Sequence, residues 1–275
     1  MKKSVFYTCL GVAMLGLVSC QTDSNEQQET EQSLLTSKVE SLGFSTEGMY
    51  EATMDGKEGI VVEGDIFLDD EMMHHLENKT LHSVNEANSK HYVTPDLLPR
   101  NQAITLDIFL DPAFSNNAVA AFNEALSRYN ELNINLTFRR TFNQSSADIA
   151  ILLQFIPPPP TGGTVLGRSA GFPRNGRPAT PIILNSTVFG GTNVRADTPA
   201  VIAHEIGHAI GFRHTDWQDR SFSCGGDFDA EGRFGALFVP GTPRGAESGS
   251  WMLACSGGVD RPFTASDRTA LRFVY

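Results

Sequence analysis

A chain of 275 residues, 40% hydrophobic and 19% charged, holds enough apolar surface for one or two cores. Its net charge of −11 excludes the electrostatic footprint of a protein built to bind nucleic acid or anionic lipid surfaces. The seven histidines and four cysteines are few enough to be traced one by one.

The start reads as an address rather than as fold. Met1-Lys2-Lys3 is a basic n-region, Val5 to Val18 is a largely apolar run of about 14 residues, and Leu17-Val18-Ser19-Cys20 ends it. Such a run is too short to span a bilayer comfortably and fits a secretory signal over residues 1–19. The LVSC end resembles a bacterial lipobox, which implies cleavage before Cys20 and lipidation of Cys20. A plain secretory signal is the alternative, but it lacks an A-x-A-like site here. Losing Lys2 and Lys3 with the signal takes the charge from −11 to −13. Cys9 leaves as well, so the folded part keeps Cys224 and Cys255, a pair that outside the cytoplasm reads as a disulfide.

Gln21 to Gln32 is polar and acidic with no apolar residue, and predicts a disordered tether over 20–36. Residues 37–99 form a mixed N-terminal segment. In it Ile60-Val61-Val62 and Ile66-Phe67-Leu68 flank a turn-prone Glu63-Gly64-Asp65, and Glu71 to Leu81 predicts a short helix. From about residue 100 the pattern becomes regular. Ile104–Leu110 alternates as a strand, and Asp111-Pro112 opens a helix carrying Val119, Phe122, Leu126 and Tyr129 at spacings of three and four. Ile134–Phe138 and Ala147–Phe155 predict two more strands, the latter central because it is apolar nearly throughout. Four prolines, Pro157 to Pro160, end it. Leu166–Phe172 and Pro181–Val188 are further strand candidates, and Thr198 with Pro199 predicts the N-terminus of the next helix.

That helix carries the chemistry. Val201–Asp216 reads VIAHEIGHAIGFRHTD, in which His204, Glu205 and His208 form H-E-x-x-H. Positions four apart share one helix face, so His204 and His208 can aim two imidazole nitrogens at one point. Glu205 beside them is placed to act on water at a metal rather than to bind the metal. Gly211 can take the left-handed conformation that ends a helix, and the turn returns His214 as a third ligand. Three ligands and an open fourth position describe a catalytic Zn2+ site. Chance yields this five-residue pattern roughly less than once in a million start positions. Asp216 orients a ligand or caps a turn, and is left outside the site.

Beyond it the chain is glycine-rich, with a double turn signal at Val239 to Pro243. Met252, the only methionine after the histidine motif, lies among small residues. Thr264 and Asp267 predict the cap of a closing helix with Ala270, Leu271 and Val274 on one face.

The long pattern H-E-x-x-H-x-x-G-x-x-H is the signature of the metzincin zinc peptidases, and its literal HEIGH resembles the bacterial dual-action HEIGH metallopeptidases within them. The resemblance covers about residues 100–275. It implies an α+β metzincin-like zincin, with a twisted mixed sheet, two long helices above the cleft and a small irregular lower subdomain ending in a helix. The upper part spans 100–214 and the lower 215–275. It implies that Met252 forms the turn beneath the histidines. It also implies that Gly167, Arg168, Ser169, Ala170 and Gly171 form an antiparallel edge strand that pairs with substrate; a glycine-rich loop without that role is the other reading. Val62-Glu63-Gly64-Asp65-Ile66 resembles the F-E-G-D stretch of astacin pro-segments, with Val62 in place of phenylalanine. This implies that Asp65 ligates zinc in a latent form, the alternative being an ordinary hairpin turn. The chain departs from astacins at Thr215, where they place Glu, and at Ala254, where they place Tyr.

The expectation is a monomeric, lipid-anchored extracytoplasmic zinc endopeptidase of the cell envelope, acting on peptide or protein with Glu205 as general base. Its membrane contact is the lipid on Cys20, and cleavage near Lys90 or Arg100 would release the catalytic part. A cell-surface binding lipoprotein with a structural zinc, and a zinc hydrolase of non-peptide substrates, are the alternatives.

Overall fold

A computed structural model describes residues 22–78, 91–226, 230–232, 235–243 and 245–275. The signal stretch, Cys20 and Lys90 lie outside them. The chain divides into two compact units, 1–38 and 39–275. The expectation of a disordered tether over 20–36 needs correction, because α1 runs as a helix from Thr22 to Ser41, past the end of the first unit. A polar composition forbids a core but not a helix, and the Glu and Gln that fill this run are good helix formers. No described helix is long and apolar enough to cross a membrane.

The second unit is built on an eight-stranded sheet. It begins with β1 (Tyr50–Met54), β2 (Lys57–Val62) and β3 (Ile66–Asp69), an antiparallel meander, then α2 (Asp70–Glu77). After β4 (Tyr92–Val93) come β5 (Ile104–Leu110), α3 (Asn116–Asn130), β6 (Leu136–Thr141), β7 (Ile149–Gln154), β8 (Gly167–Ser169) and β9 (Ile182–Asn185). A short α4 (Ser186–Phe189) leads to α5 (Thr198–Ala209), and β10 (Phe212–Arg213), α6 (Ser221–Cys224), β11 (Leu237–Phe238) and α7 (Ala265–Val274) complete the chain. The sheet order is β1-β2-β3-β8-β9-β7-β5-β6, with β5, β6, β7 and β9 parallel and β8 antiparallel to β9. The architecture is the expected α+β arrangement, two long helices on a mixed sheet with an irregular lower part closed by a helix.

Alternation along β5 shows why the sheet has two covered faces. Leu106, Ile108 and Leu110 join the main core with Phe122 and Leu126 of α3 and Ile202 and Ile206 of α5. Phe109 faces a second cluster with Met54, Val61, Phe67, Leu152 and Ile183. Helix α3 starts later than Asp111-Pro112 predicts, with Ser115 as the cap accepting from Ala118 N. At α7 Thr264 and Asp267 form the reciprocal capping box.

Two expectations about boundaries fail. No break falls near residue 100: β4 pairs with β10 and β11, His91 Nε2 meets Asp267 Oδ1 at 2.7 Å, and Thr94 N donates to Gly211 O at 2.8 Å. The hydrogen-bonding needs of a two-residue strand buried in the lower part tie 91–98 to the body, whatever the local sequence suggests. Nor is β8 an open edge. The parallel pair Ile66↔Ser169 joins β3 to it, and Ser169 N donates to Asp65 O at 2.9 Å. The chain's own N-terminal segment occupies the place expected for substrate. Only Gly167–Ser169 are in the strand; Ala170 and Gly171 lie past its end.

Candidate metal centre

Helix α5 is buried along almost its whole length, from Ala200 to Ala209. Asp197, not Thr198, stands at its cap position, and its carboxylate is held by Arg195 at 2.7 and 2.8 Å and by the Ser256 hydroxyl rather than by the helix. Gly211, at φ +106°, then reverses the chain. A Cβ there would stand 2.7 Å from Leu97 Cδ2 and 3.3 Å from Asp96 O, so both conformation and space require glycine.

The turn brings three Nε2 atoms together. They lie 3.1 Å (His204–His208), 3.2 Å (His208–His214) and 3.3 Å (His204–His214) apart. Each opposite nitrogen has an acceptor that makes it the protonated one. His204 Nδ1 donates to Trp251 O at 2.9 Å, His208 Nδ1 to Phe212 O at 2.8 Å, and His214 Nδ1 to Glu231 at 2.8 Å. With each Nδ1 donating outward, the three Nε2 atoms are the ones left to face one another, the arrangement a cation would take up. Ligands about 2.0–2.1 Å from zinc at tetrahedral angles sit about 3.3–3.4 Å apart, so this donor set fits zinc.

Asp65 supplies a fourth corner. Its Oδ2 is 3.2 Å from His204 Nε2 and 3.3 Å from His214 Nε2, and its Oδ1 is 3.6 Å from His208 Nε2. Burial opposes its ionisation, yet the facing His214 and His208 hold this carboxyl well below the usual range. Burial drives His208 down to about 4. His214 goes the other way, to about 10: burial works against it, but Glu231 and Asp65 outweigh burial.

Glu205 lies beside this point, almost fully buried against β8. A Cβ on Gly167 would stand 2.3 Å from its Oε1. Burial first, then the charge of Asp65, pushes its carboxyl well above the ordinary value. It lines a cleft of about 700 Å³ together with Tyr50, Asp65, Leu166, His204 and Arg220.

Met252 is fully buried under α5, and it explains the glycine inside HEIGH. A Cβ on Gly207 would come 2.4 Å from Met252 Sδ and 3.1 Å from Trp251 Nε1. Asp267 fixes the turn by accepting from Ser250 Oγ at 2.7 Å and Trp251 N at 3.3 Å. Asp216 pins the chain leaving the histidines, accepting from Ser223 Oγ at 2.6 Å and Ala254 N at 3.0 Å. The same junction is crossed by the Cys224–Cys255 disulfide, with S–S at 2.05 Å.

Sequence reasoning missed Glu231, Asp267 as a support, and Glu63. Glu231 lies 17 residues past His214 in a stretch without periodicity, and no local signal marks it. Glu63, buried with φ +55°, pairs with the buried Arg213, whose guanidinium also packs on Phe44 and Trp217. A buried arginine demands a carboxylate, and the F-R-H of the motif is the one hint of it.

The sequence profile of the family described as dual-action HEIGH metallo-peptidase matches residues 60–275, a stretch that includes Asp65. Among solved structures, myroilysin is 15% identical with a TM-score of 0.29, over 46% of this chain and 56% of that one. The chain thus spans little more than half the length of myroilysin. High choriolytic enzyme 1, a hatching enzyme zinc-protease from the medaka fish Oryzias latipes, is 15% identical with a TM-score of 0.32, over 64% of this chain and 91% of that one. No curated protein sequence matches. Both structural scores are low, and the assignment rests on the family profile together with the histidine site. The chain belongs to the dual-action HEIGH metallopeptidases.

Proposed function

We propose that this metallopeptidase is a zinc endopeptidase that is latent while Asp65 occupies its site. The carrying observation is the convergence of four donor atoms, three Nε2 and the Asp65 carboxylate, 3.1–3.6 Å apart. His204, His208 and His214 would hold the ion, with Trp251 O, Phe212 O and Glu231 fixing their rings. Zinc there supplies Lewis acidity, acidifying water and polarising a carbonyl.

The protein's own groups do the rest. Glu205, raised above the ordinary carboxyl range by burial, is suited to take the proton of an attacking water and to pass it to the leaving amine. The pairing of β3 with β8 at Ile66↔Ser169 supports the reading that an extended substrate could pair there in its place. Asp65 denies water the fourth position, which accounts for latency. Asp65→Ala would relieve the block at the ion alone, while full activation requires the 60–66 stretch to leave the cleft as well. A cut before His91 would spare β4, whereas a cut at Arg100 would detach it. Lipidation at Cys20 and display outside the cytoplasm remain part of the proposal on the strength of the LVSC stretch.

A second reading has one observation behind it: four protein donors close a tetrahedron, as in structural zinc sites. Glu205 opposes it, since a closed site has no use for a buried base at its side. The test is zinc analysis and peptide digestion of the full chain and of Asp65→Ala. Latency predicts about one zinc in both and at least tenfold faster hydrolysis by Asp65→Ala. Equal, chelator-sensitive rates would reject the latch, and zinc without hydrolysis in either protein would favour the structural reading.

A further inference from the structure

The cleft holds a positive group where the reaction would need one. Three arginines line it, Arg195, Arg220 and Arg261. Arg195 is held by Asp197 through two hydrogen bonds, and Arg261 donates to Cys255 O at 2.8 Å. The third is Arg220. Its guanidinium lies over Gly64, where a Cβ would stand 2.5 Å from Nη2, 3.4 Å from Cζ and 3.7 Å from Nη1. Gly64 is the residue joined to Asp65, whose carboxylate stands at the three Nε2 atoms. The charge thus sits one residue from the reacting centre, over the backbone that fills the cleft. Ala254, also in the cleft lining, offers no polar side chain.

The backbone of Arg220 is firmly set. Asp219 N donates to Asp216 O at 2.8 Å, Cys224 N donates to Arg220 O at 3.1 Å, and Cys224 is bonded to Cys255. Its Nε lies 3.7 Å from Glu231 Oε1, the carboxylate that also holds His214, and the side chain is 20% exposed. A guanidinium is always charged and presents a planar fork of donors. In a half-enclosed cleft its field is poorly screened, the condition under which a fixed donor most stabilises developing charge.

We propose that Arg220 is a catalytic residue of the peptidase, donating to the scissile carbonyl oxygen once a substrate replaces Glu63–Asp65. The inference rests on the peptidase reading above. As water adds to the carbonyl carbon, its proton goes to Glu205 and the carbonyl π pair becomes an oxyanion facing Arg220. Collapse re-forms the carbonyl, breaks the C–N bond and returns the proton of Glu205 to the departing nitrogen. Atoms and charge balance without a further reagent.

The experiment uses the full chain with Asp65→Ala as parent and adds Arg220→Ala or Arg220→Lys. Peptide kinetics are read beside zinc content and the calorimetric Kd of a phosphinic peptide, whose second phosphinate oxygen mimics the oxyanion. The expected result for Arg220→Ala is one zinc per chain, kcat lower by roughly 100-fold, KM within about threefold and phosphinate Kd weaker by roughly 100-fold. Added guanidinium ion should restore part of kcat. An unchanged Kd overturns the proposal. So does a loss confined to KM with acidic peptides, which would make Arg220 a side-chain pocket, or loss of zinc in both variants, which would make it a support of His214. If the parent binds the phosphinate but cleaves nothing, the peptidase reading fails while Kd still judges Arg220. A parent that does neither overturns both.

Discussion

On one wall of the site, His204, Glu205 and His208 come from a single helix, and His214 returns six residues beyond His208. On the opposite wall, Asp65 comes from the turn that precedes β3, the strand joined to β8 through the single registered pair Ile66↔Ser169. The first wall is specified by helix periodicity and one glycine, and everything around it is buried. The second is specified by contacts across 139 positions of sequence, from Asp65 to His204. The same four-cornered geometry thus joins a locally built part that cannot leave with a part whose withdrawal must break the β3–β8 pairing, the Glu63–Arg213 ion pair and the packing of Val61 and Phe67 on Phe109, Leu152 and Ile183. That contrast is what the proposed latency would need: a finished site and a removable occupant.

The sharpest way to break the comparison is to disable the local wall without dismantling it. Glu205→Gln should retain one zinc per chain while peptide hydrolysis falls by about two to four orders of magnitude. Metal analysis beside casein digestion measures both, and digestion at the parental rate would remove Glu205 as the base. Next in size is the staple beneath that wall. Replacing Cys224 and Cys255 with serine should cost about 3–4 kcal/mol in the chain-entropy model, read from denaturant unfolding. A midpoint unchanged within error would show that Asp216 and Ser223 suffice to hold the junction.

Smaller effects sharpen the comparison by asking how much the local wall depends on distant support. Glu231→Gln keeps an acceptor for His214 Nδ1 but removes its charge, and should weaken zinc about 10- to 100-fold in competition with a chelator. Equal affinity would make the motif self-sufficient. Least costly should be Gly207→Ala, at about 1 kcal/mol, the low end for overpacking, because Met252 Sδ sits toward the flexible end of its side chain. Pairing it with Met252→Ala in a double-mutant cycle should recover part of that loss. Strict additivity would mean that the two residues do not meet as described.

Much of this protein is determined locally. The three histidines, Glu205 and the turn at Gly211 follow from spacing, because a helix converts a separation of four into one face. Capping chemistry likewise announces α7, and alternation announces β5. What local pattern does not carry is partnership between distant segments. Nothing near Glu231 marks it as the acceptor for His214, and nothing near His91 marks its bond to Asp267. The order of strands next to β8 is equally silent, because a short glycine-containing strand accepts substrate or its own chain with the same N–H and C=O groups. The polar run after Gln21 misleads for a related reason: composition reports whether a segment can bury a core, not whether its backbone is helical. Sequence alone thus determined the chemistry of the metal centre, since ligands of one helix and its turn are set by local geometry. Only the tertiary structure decided what stands in the fourth position and which carboxylates hold the rest in place, because these depend on burial and pairing between segments far apart in the chain.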